Sequence, residues 1–262
     1  MTQSPTIERS PLQRVAIILA VVVQIGSSYL PMLGFGEPIG DRSDAIRTLI
    51  TPAGYAFAIW GPLFLGSIVY AVWQALPAQK TNALLARIGW PSVIALSAQG
   101  VWAIYTQFAN LTAISAVIIL VSLAGLLVIL RALCAATSFS TKERWIVALV
   151  FSGLAAWLTA ASIVNISASL AYHGVGGGFA YPLAAAIMVG VGGVIAALAT
   201  WRSRGNPWYA LVFVWALVAI YFRGGQQAAS VAVACAIAGA LVIIAAIIGL
   251  SRTANRQHWL GV

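Results

Sequence analysis

Two segments of the chain each carry a tryptophan and a side-chain amide at a helical spacing. Gln99 and Trp102 are three residues apart, and Trp157 and Asn165 are eight residues apart. Residues at these spacings lie on or near one face of an α-helix. Indole rings together with a few amides can bind a flat, mostly apolar ligand by stacking and by hydrogen bonds.

A third segment adds aromatic side chains to this set. Residues 51–62 read "TPAGYAFAIWGP" and contain Tyr55, Phe57 and Trp60. Buried indole N–H and amide groups need hydrogen-bond partners, which lipid does not offer. Two interpretations follow, and spacing alone does not separate them. The residues form either a ligand pocket or a helix–helix interface held by amide hydrogen bonds.

Residues suited to catalysis are scarce. The long apolar segments contain no Asp, Glu, Lys or His; His173 lies at the end of the fifth segment and His258 in the C-terminal tail. General acid–base or nucleophilic catalysis needs such groups in pairs, and proton-coupled transport usually places them in the membrane. We therefore expect no catalytic centre, no metal site and no required cofactor. An enzyme that acts on a lipid or pigment through a residue such as His173 is an alternative.

The composition is that of a membrane protein. Of the 262 residues, 61% are hydrophobic and 7% are charged, whereas soluble domains carry roughly a quarter charged residues. The formal net charge is +9, but the 14 Lys and Arg residues lie in or at the edges of the polar breaks and form no basic stripe. This distribution argues against a nucleic-acid partner and in favour of the bilayer.

Cys134 and Cys235 show no metal or redox spacing and are expected to be packing residues.

The elements that position these residues are long apolar runs. A bilayer-spanning helix needs about 20 such residues, and no run alternates as a strand would. The sequence therefore predicts an all-α polytopic fold with about eight transmembrane helices, at residues 13–32, 53–76, 90–108, 111–133, 145–172, 179–201, 207–222 and 226–250.

The basic residues predict the orientation of these helices, because cytoplasmic loops carry an excess of Lys and Arg. With both termini cytoplasmic, the opposite side carries only Arg42, Arg47 and Arg223. The cytoplasmic side then carries the other eleven: Arg9, Arg14, Lys80, Arg87, Arg131, Lys142, Arg144, Arg202, Arg204, Arg252 and Arg256. We expect a multi-pass protein of the inner (plasma) membrane.

One loop is much longer than the others. Residues 33–51 lie on the outer side in this topology and contain Glu37, Asp41 and Asp44, three of the five acidic residues of the chain. Long loops in compact proteins are often lids or binding loops. A lid and a solvated connector are both compatible with this composition.

The same three segments carry a resemblance to the TspO/translocator-protein family, also called tryptophan-rich sensory proteins. The second helix of that family opens with Pro-Pro-Gly-Trp-x-Phe-x-Pro-x-Trp, and here the segment reads "TPAGYAFAIWGP". Pro52, Gly54 and Phe57 match the pattern. Tyr55 replaces a tryptophan, and Trp60 comes one residue early.

Two further helices extend the resemblance. The third helix of the family carries an Asn with a Trp three residues later, where this chain has Gln99 and Trp102 in "AQGVW". The fifth carries a Trp followed eight residues later by Asn, as Trp157 and Asn165 do in "WLTAASIVN". The order and lengths of the first five spans agree as well.

The resemblance implies a five-helix bundle over residues 1–172 and a three-helix extension over residues 173–262. It also implies a pocket for a porphyrin or another flat hydrophobic molecule, with residues 33–51 as its lid, in a sensory or transport role. The ligand would be a porphyrin or haem. Carried over residue by residue, the pocket residues are Tyr55, Phe57, Trp60, Gln99, Trp102, Trp157 and Asn165.

The last three helices allow an alternative function and predict a packing interface. An eight-helix small-molecule transporter, with its path between the two parts, is an alternative function. The small-residue runs "VGVGGVIAALA" and "ACAIAGAL" predict close helix packing. These helices could cover the face that shorter relatives use for a homodimer. A homodimer and a single chain both stay open as alternatives.

Overall fold

The fold is entirely helical over the residues that the structure describes. The computed structural model describes residues 8–175 and 181–262, which form helices and short connections with no strand. This confirms the predicted all-α class. The α-helices are α1 (Pro11–Gly26), α2 (Ile39–Ala45), α3 (Trp60–Ala75), α4 (Ala83–Ala109), α5 (Ala113–Ala135), α6 (Leu149–Tyr172), α7 (Pro182–Arg202), α8 (Pro207–Ile220), α9 (Ala229–Leu250) and α10 (Thr253–Trp259).

Short non-α turns continue several of these helices. Three are 3₁₀-helices, at Ser27–Leu33, Gly54–Ile59 and Pro77–Gln79. Two are π-helical, at Glu143–Ala148 before α6 and at Tyr221–Gly225 after α8. Single π-turns within α-helices often occur at functional sites, and the second of these borders the cavity described below.

Seven helical segments in the described part of the chain are long and apolar enough to cross a membrane. They correspond to seven of the eight predicted runs and confirm a polytopic membrane protein. The remaining run, the third along the chain, corresponds to α4. This helix has 27 residues, which is more than the about 20 that a bilayer requires. It packs between α1 and α5. Its apolar character is diluted by Pro91, Gln99 and Gln107.

The largest difference between the predicted and observed boundaries is at the start of the third run, and differences of about three residues occur at the later runs. The third run was predicted from residue 90, whereas α4 begins at Ala83. The side chain of Asn82 accepts a hydrogen bond from the Leu85 backbone N–H (3.0 Å) and so caps the helix almost two turns earlier. The sixth run was predicted from residue 179. Residues 179 and 180 lie outside the described ranges, and α7 begins at Pro182.

Helix α6 forms the centre of the molecule. It packs against α3, α5, α7 and α8, and it buries Trp157 and Asn165, which are 4% and 3% exposed. On one side of it, α7 and α9 pack closely. A Cβ added at Gly193 would lie 2.3 Å from the Ala238 Cβ, so the small-residue runs do form a tight interface.

Helix α8, in the C-terminal part of the chain, is joined to α6, the fifth predicted span, by buried polar contacts. Asn206 Nδ2 donates to Ser152 Oγ (2.7 Å), and the Tyr209 hydroxyl donates to Thr159 Oγ1 (2.9 Å). These bonds connect α8 to α6, and a buried polar group left unpaired is costly. The division at residue 172 stays a prediction, but α8 is an integral part of the packing around α6.

Candidate binding site

A cavity of about 520 Å³ opens beside the loop of residues 33–51. Its inner wall is aromatic and comes from α3, α4 and the turn before α3. Two amides, from α1 and α4, face the same space. The residues of this inner wall are Gln24, Phe57, Trp60, Phe64, Gln99 and Trp102.

The turn at Gly54–Ile59 positions the first part of the wall. This 3₁₀ turn places Phe57 and Trp60 toward Trp157 of α6, with ring centroids 6.4 Å and 6.1 Å apart in edge-to-face geometry. Trp60 also stacks on Phe64 one turn later, at 5.0 Å. Edge-to-face pairs at such distances are favourable beyond their buried area. The aromatic wall is therefore a packed cluster of fixed geometry.

The two amides form a direct pair across α1 and α4. Gln24 Nε2 donates to Gln99 Oε1 (2.7 Å), and Gln99 Nε2 donates to the Ala95 carbonyl (3.2 Å). Gln24 Oε1 is buried and has no hydrogen-bond partner among the described residues. One acceptor of the pair is thus available to a hydrogen-bond donor in the cavity.

The indole groups around the cavity are also unpaired. Nε1 of Trp102 and Nε1 of Trp157 are buried and have no hydrogen-bond partner in the described part of the chain. Asn165 Oδ1 accepts a bond from Ser115 Oγ (3.0 Å), while its Nδ2 has no partner within residues 8–175 and 181–262. Buried donors of this kind are uncommon. They give the site hydrogen-bonding capacity toward a bound molecule.

A second, narrow cavity of about 50 Å³ continues from the first. The two share Phe57 and Trp102, and the second is also lined by Trp157 and Asn165. Its far wall belongs to α8, through Ala216 and Ile220. The last helices therefore take part in building the site.

The structure brings six of the seven predicted residues to these cavities. They are Phe57, Trp60, Gln99, Trp102, Trp157 and Asn165. Tyr55 is placed elsewhere: its ring packs edge-on against Trp215 of α8 at 5.4 Å, and it is 44% exposed. It lies two residues before Phe57, and in the tight 3₁₀ turn the two side chains point in different directions.

Several residues that line the cavity could not be singled out from the sequence, among them Gln24, Gln107 and Arg223. Gln24 carries the same signal as Gln99, an amide within an apolar run, but no aromatic residue lies three or four positions from it. Gln107 and Arg223 lie near helix ends, where polar side chains are ordinary. Only the tertiary structure brings them to the cavity.

The loop of residues 33–51 packs on the bundle and borders the cavity. The Glu37 backbone N–H and Arg42 Nη2 both donate to the Gln107 carbonyl (3.0 Å each), and Arg42 pairs with Glu37 (3.1 Å). Pro38, Ile39 and Gly40 line the cavity. Of the two alternatives, the observed arrangement is that of a cover; a freely solvated connector does not fit these contacts.

Arg223 fastens this loop to the end of α8. Its Nη1 donates to the Pro52 carbonyl (3.0 Å), and its Nη2 pairs with Asp44 Oδ1 (2.7 Å). The next residue, Gly224, lies so close to Leu49 that an added Cβ would be 1.6 Å from the Leu49 carbonyl oxygen. A glycine is required there, because any larger residue would push the loop away from the cavity.

Comparison with protein families identifies a match over most of the chain. The family model described as "TSPO-like protein" matches residues 11–248. No curated protein and no solved structure matches the chain. The matched range contains every residue named above as lining the two cavities.

Proposed function

The chain belongs to the TSPO-like protein family, and from this premise we propose that it binds a flat, mostly apolar ligand of the porphyrin or tetrapyrrole class. One observation carries the proposal: the cavity of about 520 Å³ has an aromatic wall, a buried amide pair and a packed covering loop. Small-molecule sites are typically apolar clefts of roughly 300–1,000 Å³ with a few fixed polar groups.

The distribution of polar groups favours a ligand with an apolar body and a polar edge. Trp60 and Trp102 line the inner part, where ring faces can stack on a flat molecule. Arg223 and Gln107 line the side nearest the loop. Arg223 uses two of its five N–H donors on Asp44 and Pro52. The remaining donors suit the acidic groups at the edge of a tetrapyrrole.

We propose that binding serves a sensory or transport role. Among the residues that line the two cavities, the only carboxylate is Asp44, and it is held in an ion pair with Arg223. A general base would need a free group of suitable pKa within reach of the ligand. This arrangement supports binding and release over turnover.

A fluorescence titration tests the proposed ligand class. We expect protoporphyrin IX to quench the tryptophan fluorescence of the purified protein in a saturable way, with one ligand per chain. Trp102→Leu should weaken this binding about tenfold or more. Trp90→Leu is the matched control, because Trp90 lies on the same helix but is 47% exposed on the outer surface. Quenching that rises linearly without saturation in the wild type would rule out the site.

Transport along a path between the two parts of the chain is the second candidate. The cavity of about 50 Å³ lies between α6 and α8, and another of about 20 Å³ continues past Ala216 toward Val189 of α7. In proteoliposomes, this candidate predicts ligand flux that survives Trp102→Leu but is blocked by Ala216→Phe. Flux that depends on Trp102 instead would assign transport to the aromatic cavity.

We also propose that both termini lie on the cytoplasmic side of the inner membrane. The eleven-to-three distribution of basic residues supports this orientation. A membrane-impermeant thiol reagent applied to intact cells should label Arg47→Cys and not Arg131→Cys, with the wild type as the control for Cys134 and Cys235. Labelling of Arg131→Cys alone would reverse the topology.

A further inference from the structure

A separate, polar cavity lies at the opposite end of α8 from the aromatic cavity. It measures about 230 Å³ and is bordered by the turn between α7 and α8 and by the end of α9. Helix α8 begins next to this turn and ends beside Arg223 at the aromatic cavity. The two sites are thus on opposite sides of the membrane-spanning bundle.

Two arginines line this polar cavity and have no carboxylate partner in the described part of the chain. They are Arg204, in the turn, and Arg252, just after α9. All five acidic residues of the chain lie in the described ranges, and their ion pairs involve only Arg42, Arg47, Lys80 and Arg223. Arg204 also has its Nη1 3.5 Å from Nδ1 of His258, which is not a counter-charge. Two arginines that line one cavity without a carboxylate make a site for an anion.

The backbone holds the two arginines near each other. Gly205 and Gly249 are in direct contact, since a Cβ added at Gly249 would lie 2.4 Å from the Gly205 Cα. Asn255, which also lines the cavity, donates from Nδ2 to the Gly249 carbonyl (2.7 Å). The turn, the end of α9 and the start of α10 are thereby fixed relative to one another.

The remaining wall is apolar and lies at the exposed surface of the bundle. Trp201 and Ile248 line the cavity and are 60% and 56% exposed. Trp201 is at the end of α7, where tryptophan marks the membrane–water interface. From there, Leu198 and Ile247 continue an exposed apolar surface along α7 and α9 toward the bilayer core.

We propose that this cavity binds the phosphate-bearing headgroup of an anionic membrane lipid. Arg204 and Arg252 contact the phosphate, and the acyl chains lie on the exposed apolar surface of α7 and α9. Basic pockets between transmembrane helices at the interface are suited to such headgroups. The source is a lipid and not a free phosphate ion, because the cavity is open to the apolar surface beside Trp201 and Ile248.

Native mass spectrometry of the delipidated full-length protein tests this site. The probes are dioctanoyl phosphatidylglycerol, dioctanoyl phosphatidylcholine and inorganic phosphate. We expect one phosphatidylglycerol to bind more tightly than either other probe. Each arginine near an anionic headgroup contributes roughly fivefold in affinity, so Arg204→Gln/Arg252→Gln should weaken binding about 30-fold.

The control variant is Arg87→Gln/Arg131→Gln. It removes the same number of charges from exposed positions that are predicted to lie on the same side of the membrane, and its affinity should equal that of the wild type. Arg204→Lys/Arg252→Lys keeps the charge and should retain most of the binding, which separates loss of the site from misfolding. The proposal is overturned if both Gln variants weaken binding equally, if phosphatidylcholine binds as tightly, or if inorganic phosphate competes at equal concentration.

Discussion

At the level of single residues, the site depends on amide and indole groups. Their apolar surroundings offer them few hydrogen-bond partners. Gln99 could be singled out from the sequence because Trp102 follows at a helical spacing. Its partner Gln24 could not, because its own helix gives it no aromatic neighbour at such a spacing. The pairing of these two amides is a property of how α1 and α4 pack, and spacing within one helix does not encode it.

The amide pair gives the first prediction. Gln99→Ala removes the acceptor of the Gln24 Nε2 bond and leaves both polar ends of Gln24 buried and unpaired. We expect a loss of about 1–3 kcal/mol in the free energy of unfolding, measured by denaturation in detergent. Gln24→Leu/Gln99→Leu removes both partners and should recover most of that stability. A double variant as unstable as Gln99→Ala would show that the pair is not the cause.

At the scale of elements, the covering loop and the end of α8 act together. The distribution of basic residues predicts that residues 33–51 and Arg223 lie on the same side of the membrane. The pairing of Asp44 with Arg223, 179 positions apart, could not be predicted from that distribution. Similarly, the composition of the loop left a lid and a solvated connector equally open. The contacts of the loop with Gln107 and Arg223 distinguish the two.

The second prediction concerns the bonds that Arg223 makes to Asp44 and Pro52. Arg223→Gln removes the ion pair to Asp44 and weakens the bond to Pro52. We therefore expect faster hydrogen exchange in residues 37–51 and several-fold faster dissociation of bound protoporphyrin IX. Arg47→Gln is the matched control, since Arg47 contacts the same carboxylate at 3.6 Å with a side chain that is 50% exposed. It should change both rates little. Equal effects of the two variants would contradict a specific role for Arg223.

At the scale of the whole molecule, α6 connects the aromatic cavity to the last helices. The periodic apolar runs were sufficient to predict the helices, because each must span the bilayer and satisfy its own backbone. They could not predict that α8 would supply part of the cavity wall through Ala216 and Ile220. That contribution depends on which faces of α6 and α8 meet.

The C-terminal helix α10 gives a prediction about pH. His258 is 5% exposed, lies against Phe139 and Trp259, and is near Arg204 and Arg144. Burial, with the two arginines, lowers the pKa of His258 from 6.5 to about 4. The unfolded chain therefore binds a proton between pH 6.5 and 4 that the folded chain does not. Stability is full above pH 6.5 and falls as the pH drops toward 4, by up to about 3 kcal/mol.

Thermal denaturation in detergent between pH 7.5 and 4 checks this dependence. His258→Gln should flatten the profile in that window, because the group that titrates is gone. The matched control is His173→Gln, whose residue lies at the end of α6 in an exposed position, and it should retain the wild-type profile. An unchanged slope in His258→Gln would mean that another group is responsible.

If the aromatic cavity itself holds the ligand, a side chain that fills the cavity must block binding. Ala103 lines the cavity from α4 and is 4% exposed. Ala103→Phe places a ring in the cavity without removing any aromatic or polar group. The dissociation constant of protoporphyrin IX should rise at least about tenfold in Ala103→Phe, with no change in Val128→Phe, where the residue is 52% exposed on α5. Wild-type affinity in a correctly folded Ala103→Phe protein would contradict the claim.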